Sequence, residues 1–171
     1  MKITIFWVAG TGTSTIWKLL AKNLWYDFQS TGNIMRSWAD EAGYTIYEFE
    51  DKVIKLDESF DIKLDQRVVD FWKNNDDFIF ESRLAWNFIP DSFKISLTCD
   101  DMERYKRIYE REWGEFVECM RKTKKREEEL VKRYKEVYPD IVFPPCDDIF
   151  DIVINTTKIA PDEIVDIILQ A

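Results

Sequence analysis

The feature that most constrains this chain lies at its beginning. Residues 2–8, Lys-Ile-Thr-Ile-Phe-Trp-Val, are β-branched and aromatic, and they break at Gly10-Thr11-Gly12. Directly afterwards Ile16, Leu19, Leu20 and Leu24 recur at helical spacing. The pattern reads as strand, glycine turn, helix. The rest of the chain repeats the alternation. Short strands are expected at residues 27–30, 78–80, 93–98 and 150–154, with helices between them. Ile34, Met35, Trp38, Ala39 and Ala42 form one helix face that ends at Gly43, a C-cap. Thr45 and Glu48 have the spacing of a capping box. Helices follow over 60–73 and 102–112. Gly114 interrupts the last of these, a long charged helix over 115–138 stops at Pro139, and Pro161 opens a closing helix. Trp17, Trp25 and Trp113 are expected to serve core or helix packing.

Strands alternating with helices imply an α/β fold with a mainly parallel, five-stranded sheet covered on both faces, a three-layer sandwich. Ligands of such sheets bind beyond the carboxyl ends of the strands, where the glycine turn sits. The 171 residues fit one domain. No internal repeat or linker divides them.

Composition removes several chemistries. There is no histidine, so His-based triads, His metal ligands and the usual neutral-pH base are excluded. A net charge of −9 gives no overall attraction for nucleic acid or anionic lipid. Cys99, Cys119 and Cys146 are odd in number and widely spaced, which suggests neither a disulfide framework nor a zinc site. The first apolar run is short and no small-residue cleavage site follows it, so a cytoplasmic location is expected.

A phosphate loop works through backbone N–H groups that curl around an anion at the start of a helix. Its usual spelling is GxxxxGK[ST], and the corresponding window here runs from Trp7 to Ser14. Gly12 and Ser14 match. Trp7 replaces the first glycine and Thr13 the lysine. In such a loop Gly10, Thr11, Gly12, Thr13, Ser14 and Thr15 would hold ATP phosphates, with Ser14 facing the magnesium carried by the nucleotide. An ordinary glycine turn after a strand is the alternative.

Phosphoryl transfer between nucleotides gathers negative charge, and arginines hold and stabilise it. Arg104, Arg107 and Arg111 share one helix side, and Arg126 and Arg133 repeat a heptad spacing on the next helix. The plainer reading makes them solvated charges offset by nearby glutamates. Arg36 and Arg83 each follow a candidate strand and could converge on one anion. Arg83 could instead be a buried partner of Glu81 or Asp65.

Along almost its whole length the sequence resembles the short cytidylate kinases of archaea and some bacteria, P-loop nucleoside monophosphate kinases. Gly10-Thr11-Gly12-Thr13-Ser14-Thr15 is similar to the second half of that family's GPPGSGTTT loop, which itself lacks the lysine. Ser30-Thr31-Gly32-Asn33-Ile34-Met35-Arg36 resembles its acceptor-phosphate segment, and Asp61-Ile62-Lys63-Leu64-Asp65-Gln66-Arg67 its next motif. Glu81-Ser82-Arg83-Leu84-Ala85 resembles EGRLA, Arg126-Glu127-Glu128 with Arg133-Tyr134 the REE and RY pair, and residues 152–157 a VINTS-like strand. Trp7-Val8-Ala9 stands where the family has Gly-Pro-Pro, Asn33 where it has aspartate and Ser82 where it has glycine.

The resemblance implies a single kinase domain with a CMP-binding insert at about residues 30–75 and a helical lid at about 104–140. It implies that Ser30, Gly32, Arg36, Asp65 and Arg83 bind CMP, and that Arg107, Arg111, Arg126 and Arg133 are the catalytic lid groups on the substrates' phosphates. The expected reaction is phosphoryl transfer from ATP to CMP or dCMP by a monomer with ATP and magnesium as cofactors and nucleotides as its partners. A different acceptor, either another nucleoside monophosphate or a small metabolite, is one alternative. A non-catalytic nucleotide-binding protein, suggested by Trp7, is the other.

Overall fold

The computed structural model describes residues 1–57, 59–112 and 115–171. Five strands, β1 (Lys2–Trp7), β2 (Asp27–Ser30), β3 (Phe78–Glu81), β4 (Phe93–Thr98) and β5 (Ile152–Asn155), form one sheet in the order β2-β3-β1-β4-β5. Every pairing is parallel. The expected "mainly parallel" sheet is therefore parallel throughout the described residues. β5 starts two residues later than the spacing predicts, because Phe150 is turned to stack on Phe6 with ring centroids 5.5 Å apart.

Eight helices cover the sheet among the described residues: α1 (Thr13–Leu24), α2 (Thr31–Glu41), α3 (Ile46–Phe49), α4 (Phe60–Asn74), α5 (Ala85–Phe88), α6 (Asp101–Glu112), α7 (Phe116–Val137) and α8 (Pro161–Gln170). The short α5 is the one of these helices that the sequence does not announce. A π-helical turn, Glu50–Ile54, continues α3. Gly114 and Trp113, read above as a helix break and a packing ring, lie outside the described residues.

Strand alternation sorts the core into two sides. Ile3 and Ile5 of β1 pack with Ile79, Ile95, Leu97 and Ile154 against Ile16 and Leu20 of α1 and Ile164, Val165 and Ile168 of α8. On the other face Phe78 and Phe80 meet Val68, Ala85 and Ile89, while Phe6 meets Leu84, Tyr134 and Phe143. The result is a three-layer sandwich. Helices α2 to α4 enclose a smaller core of their own, Ala39, Phe49, Ile54, Phe60 and Leu64.

Local chemistry explains the boundaries. Ser30 caps α2 by accepting from the Asn33 N–H at 3.0 Å, and Gly43 follows α2 in the left-handed region at φ 74°. Thr45 and Glu48 close a capping box, with the Thr45 N–H donating to Glu48 at 2.9 Å and the Glu48 N–H to Thr45 Oγ1 at 3.3 Å. Pro161 opens α8. Trp17 packs against Phe28 as expected. Trp25 corrects the expectation of packing, for its side chain is 93% exposed at the left-handed end of α1. Among the described residues no helix is long and apolar enough to cross a membrane.

Candidate active site

The chain leaves β1 at Trp7 and turns through Gly10 and Gly12, at φ 88° and 85°, before entering α1. Both values lie where a Cβ is unfavourable, and at Gly10 space is also lacking: a Cβ would stand 2.6 Å from the Arg104 carbonyl oxygen. Thr11 donates its N–H and its hydroxyl to the Val8 carbonyl, at 3.3 and 3.0 Å. The Thr156 hydroxyl sits 2.9 Å from the Thr11 carbonyl and 3.0 Å from that of Thr98. Arg104 donates to the Ala9 carbonyl at 2.7 Å. The carbonyls of Ala9 and Thr11 are thus tied to neighbouring elements.

The amides are left in the opposite condition. Among the described residues the N–H groups of Gly10, Gly12, Thr13 and Ser14 have no acceptor in the chain. They lie at the positive end of a 12-residue helix, an arrangement that binds anions. Ser14 and Thr15 are exposed there. Thr13 is different, because its hydroxyl is buried against that of Thr11 at 2.9 Å. What Thr13 offers an anion is its amide.

The arginines divide by what holds them. Arg104 is 5% exposed and bonded to Glu127 at 2.7 Å and Asp101 at 2.8 Å, which makes it a bolt between α6, α7 and the loop. Arg107 donates to the carbonyls of Thr156 and Thr157, at 3.0 and 3.3 Å, and pairs with Glu103 at 3.0 Å. Its Nη1 is the nearest group to Gly12, 3.9 Å from where a Cβ would be. Arg111 sits exposed one turn further along α6. From α7, Arg126 reaches Glu50 at 3.1 Å and Arg133 reaches Asp61 at 2.8 Å. These two arginines of α7 therefore clasp the α2 to α4 unit through its carboxylates.

Arg36 folds back over the start of α2, donating to Asn33 Oδ1 at 2.6 Å, with its guanidinium above Gly32. Arg83 forms no ion pair with Glu81 or Asp65 within 4.0 Å; its guanidinium lies 4.8 Å over the Trp7 ring instead. Ser30 is buried as the cap of α2, and Asp65 accepts from the Tyr138 hydroxyl at 2.6 Å. The structure thus brings Arg36, Arg83, Arg126 and Arg133 around one end of the sheet. It places Arg107 beside the loop and turns Arg104 inward.

Electrostatics mark the same region. Burial pushes the Glu81 carboxyl up to about 7 against the opposing pull of Arg36 and Arg83. Burial likewise raises Asp65 to about 7, partly countered by the Tyr138 hydroxyl and reinforced by Asp61. Asp61 itself is raised by burial despite Arg133. Burial lowers Arg83, and repulsion from Arg133 and Arg126 adds to that, so these guanidiniums share one field. Glu50, Asp61, Tyr138 and Thr156 are contact partners of these residues that spacing alone does not reveal. Asp61, Thr156 and Glu81 lie within stretches that carry the family resemblance, whereas Glu50 and Tyr138 have no signal in the sequence.

Comparison with known proteins bears on the family and the fold. A family model described as an AAA domain matches residues 3–135. A cytidylate kinase of Methanococcoides burtonii is 34% identical, with 92% of this chain and 89% of that protein aligned. The chain belongs to the cytidylate kinase family. A cytidylate kinase of Halobacterium salinarum is similarly close, 35% identical over 100% of this chain and 88% of that protein. Membership makes the chain an ATP-dependent nucleoside monophosphate kinase. The solved structure of shikimate kinase from Acinetobacter baumannii in complex with shikimate shares the fold, with a TM-score of 0.62 at 15% identity over 99% of this chain and 90% of that one.

Proposed function

We propose that this cytidylate kinase family member transfers the terminal phosphoryl group of ATP to CMP or dCMP, giving ADP and CDP or dCDP. The observation that carries the reading is the position of Arg83. Among the described residues it has no carboxylate partner within 4.0 Å, and it lies against Trp7, the last residue of β1, where the chain enters the loop of unpartnered amides. An acceptor phosphate held by Arg83 would stand beside a donor phosphate held by the loop.

In this reading the amides of Gly10, Gly12, Thr13 and Ser14 cradle the ATP phosphates, with Thr11 and Thr15 completing the turn. The exposed Ser14 hydroxyl suits the magnesium ion carried by the nucleotide, which neutralises phosphate charge when bound. Arg36 and Arg83 hold the acceptor phosphate, Ser30 and Gly32 shape the turn beneath Arg36, and Asp65 lines the acceptor side. The insert spans about residues 30–75, and the lid, about 104–140, closes with Arg107, Arg111, Arg126 and Arg133 on the transferring group. No covalent intermediate is needed. In-line positioning, charge stabilisation and exclusion of water supply the acceleration. Nucleotide substrates, a cytoplasmic setting and a monomeric state complete the proposal.

A coupled ADP-release assay with each nucleoside and deoxynucleoside monophosphate tests it. CMP and dCMP should be preferred, and Arg36→Ala should raise the acceptor KM far more than the ATP KM. Preference for another monophosphate or a small metabolite moves the acceptor assignment; ATP binding without turnover of any acceptor overturns the catalytic reading.

A further inference from the structure

We propose that Trp7 is a positioning residue for the acceptor half of the site, its ring face holding the Arg83 guanidinium where the acceptor phosphate is met. The inference rests on the acceptor role assigned to Arg83 above. Trp7 stands where the family's loop has glycine, and by size alone a ring there would obstruct the loop. The register of the sheet gives it another task. β1 and β3 run parallel with Ile5 opposite Glu81, and the Ser82 N–H continues the ladder by donating to the Ile5 carbonyl at 3.2 Å. Two residues further along each chain come Trp7, still in β1, and Arg83, which lies just past the end of β3, so the paired strands bring the two side chains to the same end of the sheet. The guanidinium lies over the indole at 4.8 Å.

The contrast with the other site arginines shows why a ring suits this position. Arg104, Arg107, Arg126 and Arg133 each lean on a carboxylate. A carboxylate beside Arg83 would neutralise it and compete with an incoming phosphate. An aromatic face steadies a cation through its quadrupole and leaves the fork of N–H donors free. The indole N–H is not part of the contact: Nε1 is buried without a hydrogen-bond partner. A glycine at position 7 would leave Arg83 without this support.

The test is a steady-state comparison of Trp7→Leu, which keeps bulk without a π face, and Trp7→Phe, which keeps a face without the N–H. Trp7→Leu is expected to raise the acceptor KM about tenfold while leaving the ATP KM unchanged. Trp7→Phe should recover most of the loss. In an Arg83→Ala background, Trp7→Leu should have no further effect on the acceptor KM. The inference is overturned if Trp7→Leu shifts the ATP KM as much as the acceptor KM, if Trp7→Phe is no better than Trp7→Leu, if the two sites act additively, or if Trp7→Gly improves turnover. Should Trp7→Leu fail to fold, Trp7→Met, equally without a π face, takes its place both in the comparison with Trp7→Phe and in the cycle with Arg83→Ala. Wild-type turnover across the acceptor panel reports separately on the reaction. The comparison is then made with whichever monophosphate is preferred, or by calorimetric binding of CMP if none is turned over.

Discussion

The guanidinium of Arg104 and the carbonyl of Ala9 are 95 residues apart in sequence and 2.7 Å apart in space. With its bonds to Asp101 and Glu127, Arg104 joins the loop to both long helices, and its own spacing with Arg107 and Arg111 conceals this different task. Arg104→Ala would leave Glu127 half-buried without its partner and release the loop carbonyl. A loss of about 3 kcal/mol is expected in urea unfolding, on the scale for breaking a buried pair, together with a raised ATP KM. Unchanged unfolding would show that the bolt holds nothing.

Gly10 and Gly43 separate conformational cost from lack of space. Both lie at positive φ, 88° and 74°, but a Cβ on Gly10 would collide with the backbone of Arg104, whereas nothing lies within 4 Å of one on Gly43. Gly43→Ala should cost about 1 kcal/mol and leave ATP binding intact. Gly10→Ala should cost several times more and abolish ATP binding, measured by fluorescence with a labelled nucleotide. Equal effects would refute the close approach of α6 to the loop.

Asp65 makes a pH prediction. Its folded pKa of about 7 exceeds the unfolded 3.8, so the folded state keeps a proton that the unfolded chain has lost, and stability falls as pH rises through that window. Asp65→Asn removes the titration while keeping an acceptor for Tyr138. The advantage of the variant over wild type should therefore widen between pH 5 and pH 8, by roughly 1–3 kcal/mol in chemical denaturation. A constant gap would place the buried carboxyl's pKa near its ordinary value.

Trp25 is an indole in a glycine position. It ends α1 at φ 58° and is 93% exposed, so its replacement removes little burial. Trp25→Gly should raise the melting temperature, corresponding to about 0.5–1 kcal/mol of relieved left-handed strain. A clear drop in Tm would mean that the indole is held by contacts made elsewhere.

Much of the fold was readable from local pattern. Ile16 and Leu20 announce α1, Gly43 the end of α2, and Thr45 with Glu48 their reciprocal bonds, because each depends on residues within a turn or two of one another. α5 has no such signal, because four residues are too short to show a period. The strand order was not legible either, since it pairs β1 with β3 and β4 rather than with its sequence neighbour β2.

The sequence by itself determined the strand, the glycine turn and the helix behind it, since backbone preference and side-chain periodicity act over a few residues. Tertiary structure decided what each arginine does. A guanidinium on a long, flexible stem takes whichever partner the fold brings within reach. For Arg104 that partner is a loop carbonyl, for Arg126 and Arg133 carboxylates on the α2 to α4 unit, and for Arg83 the face of Trp7.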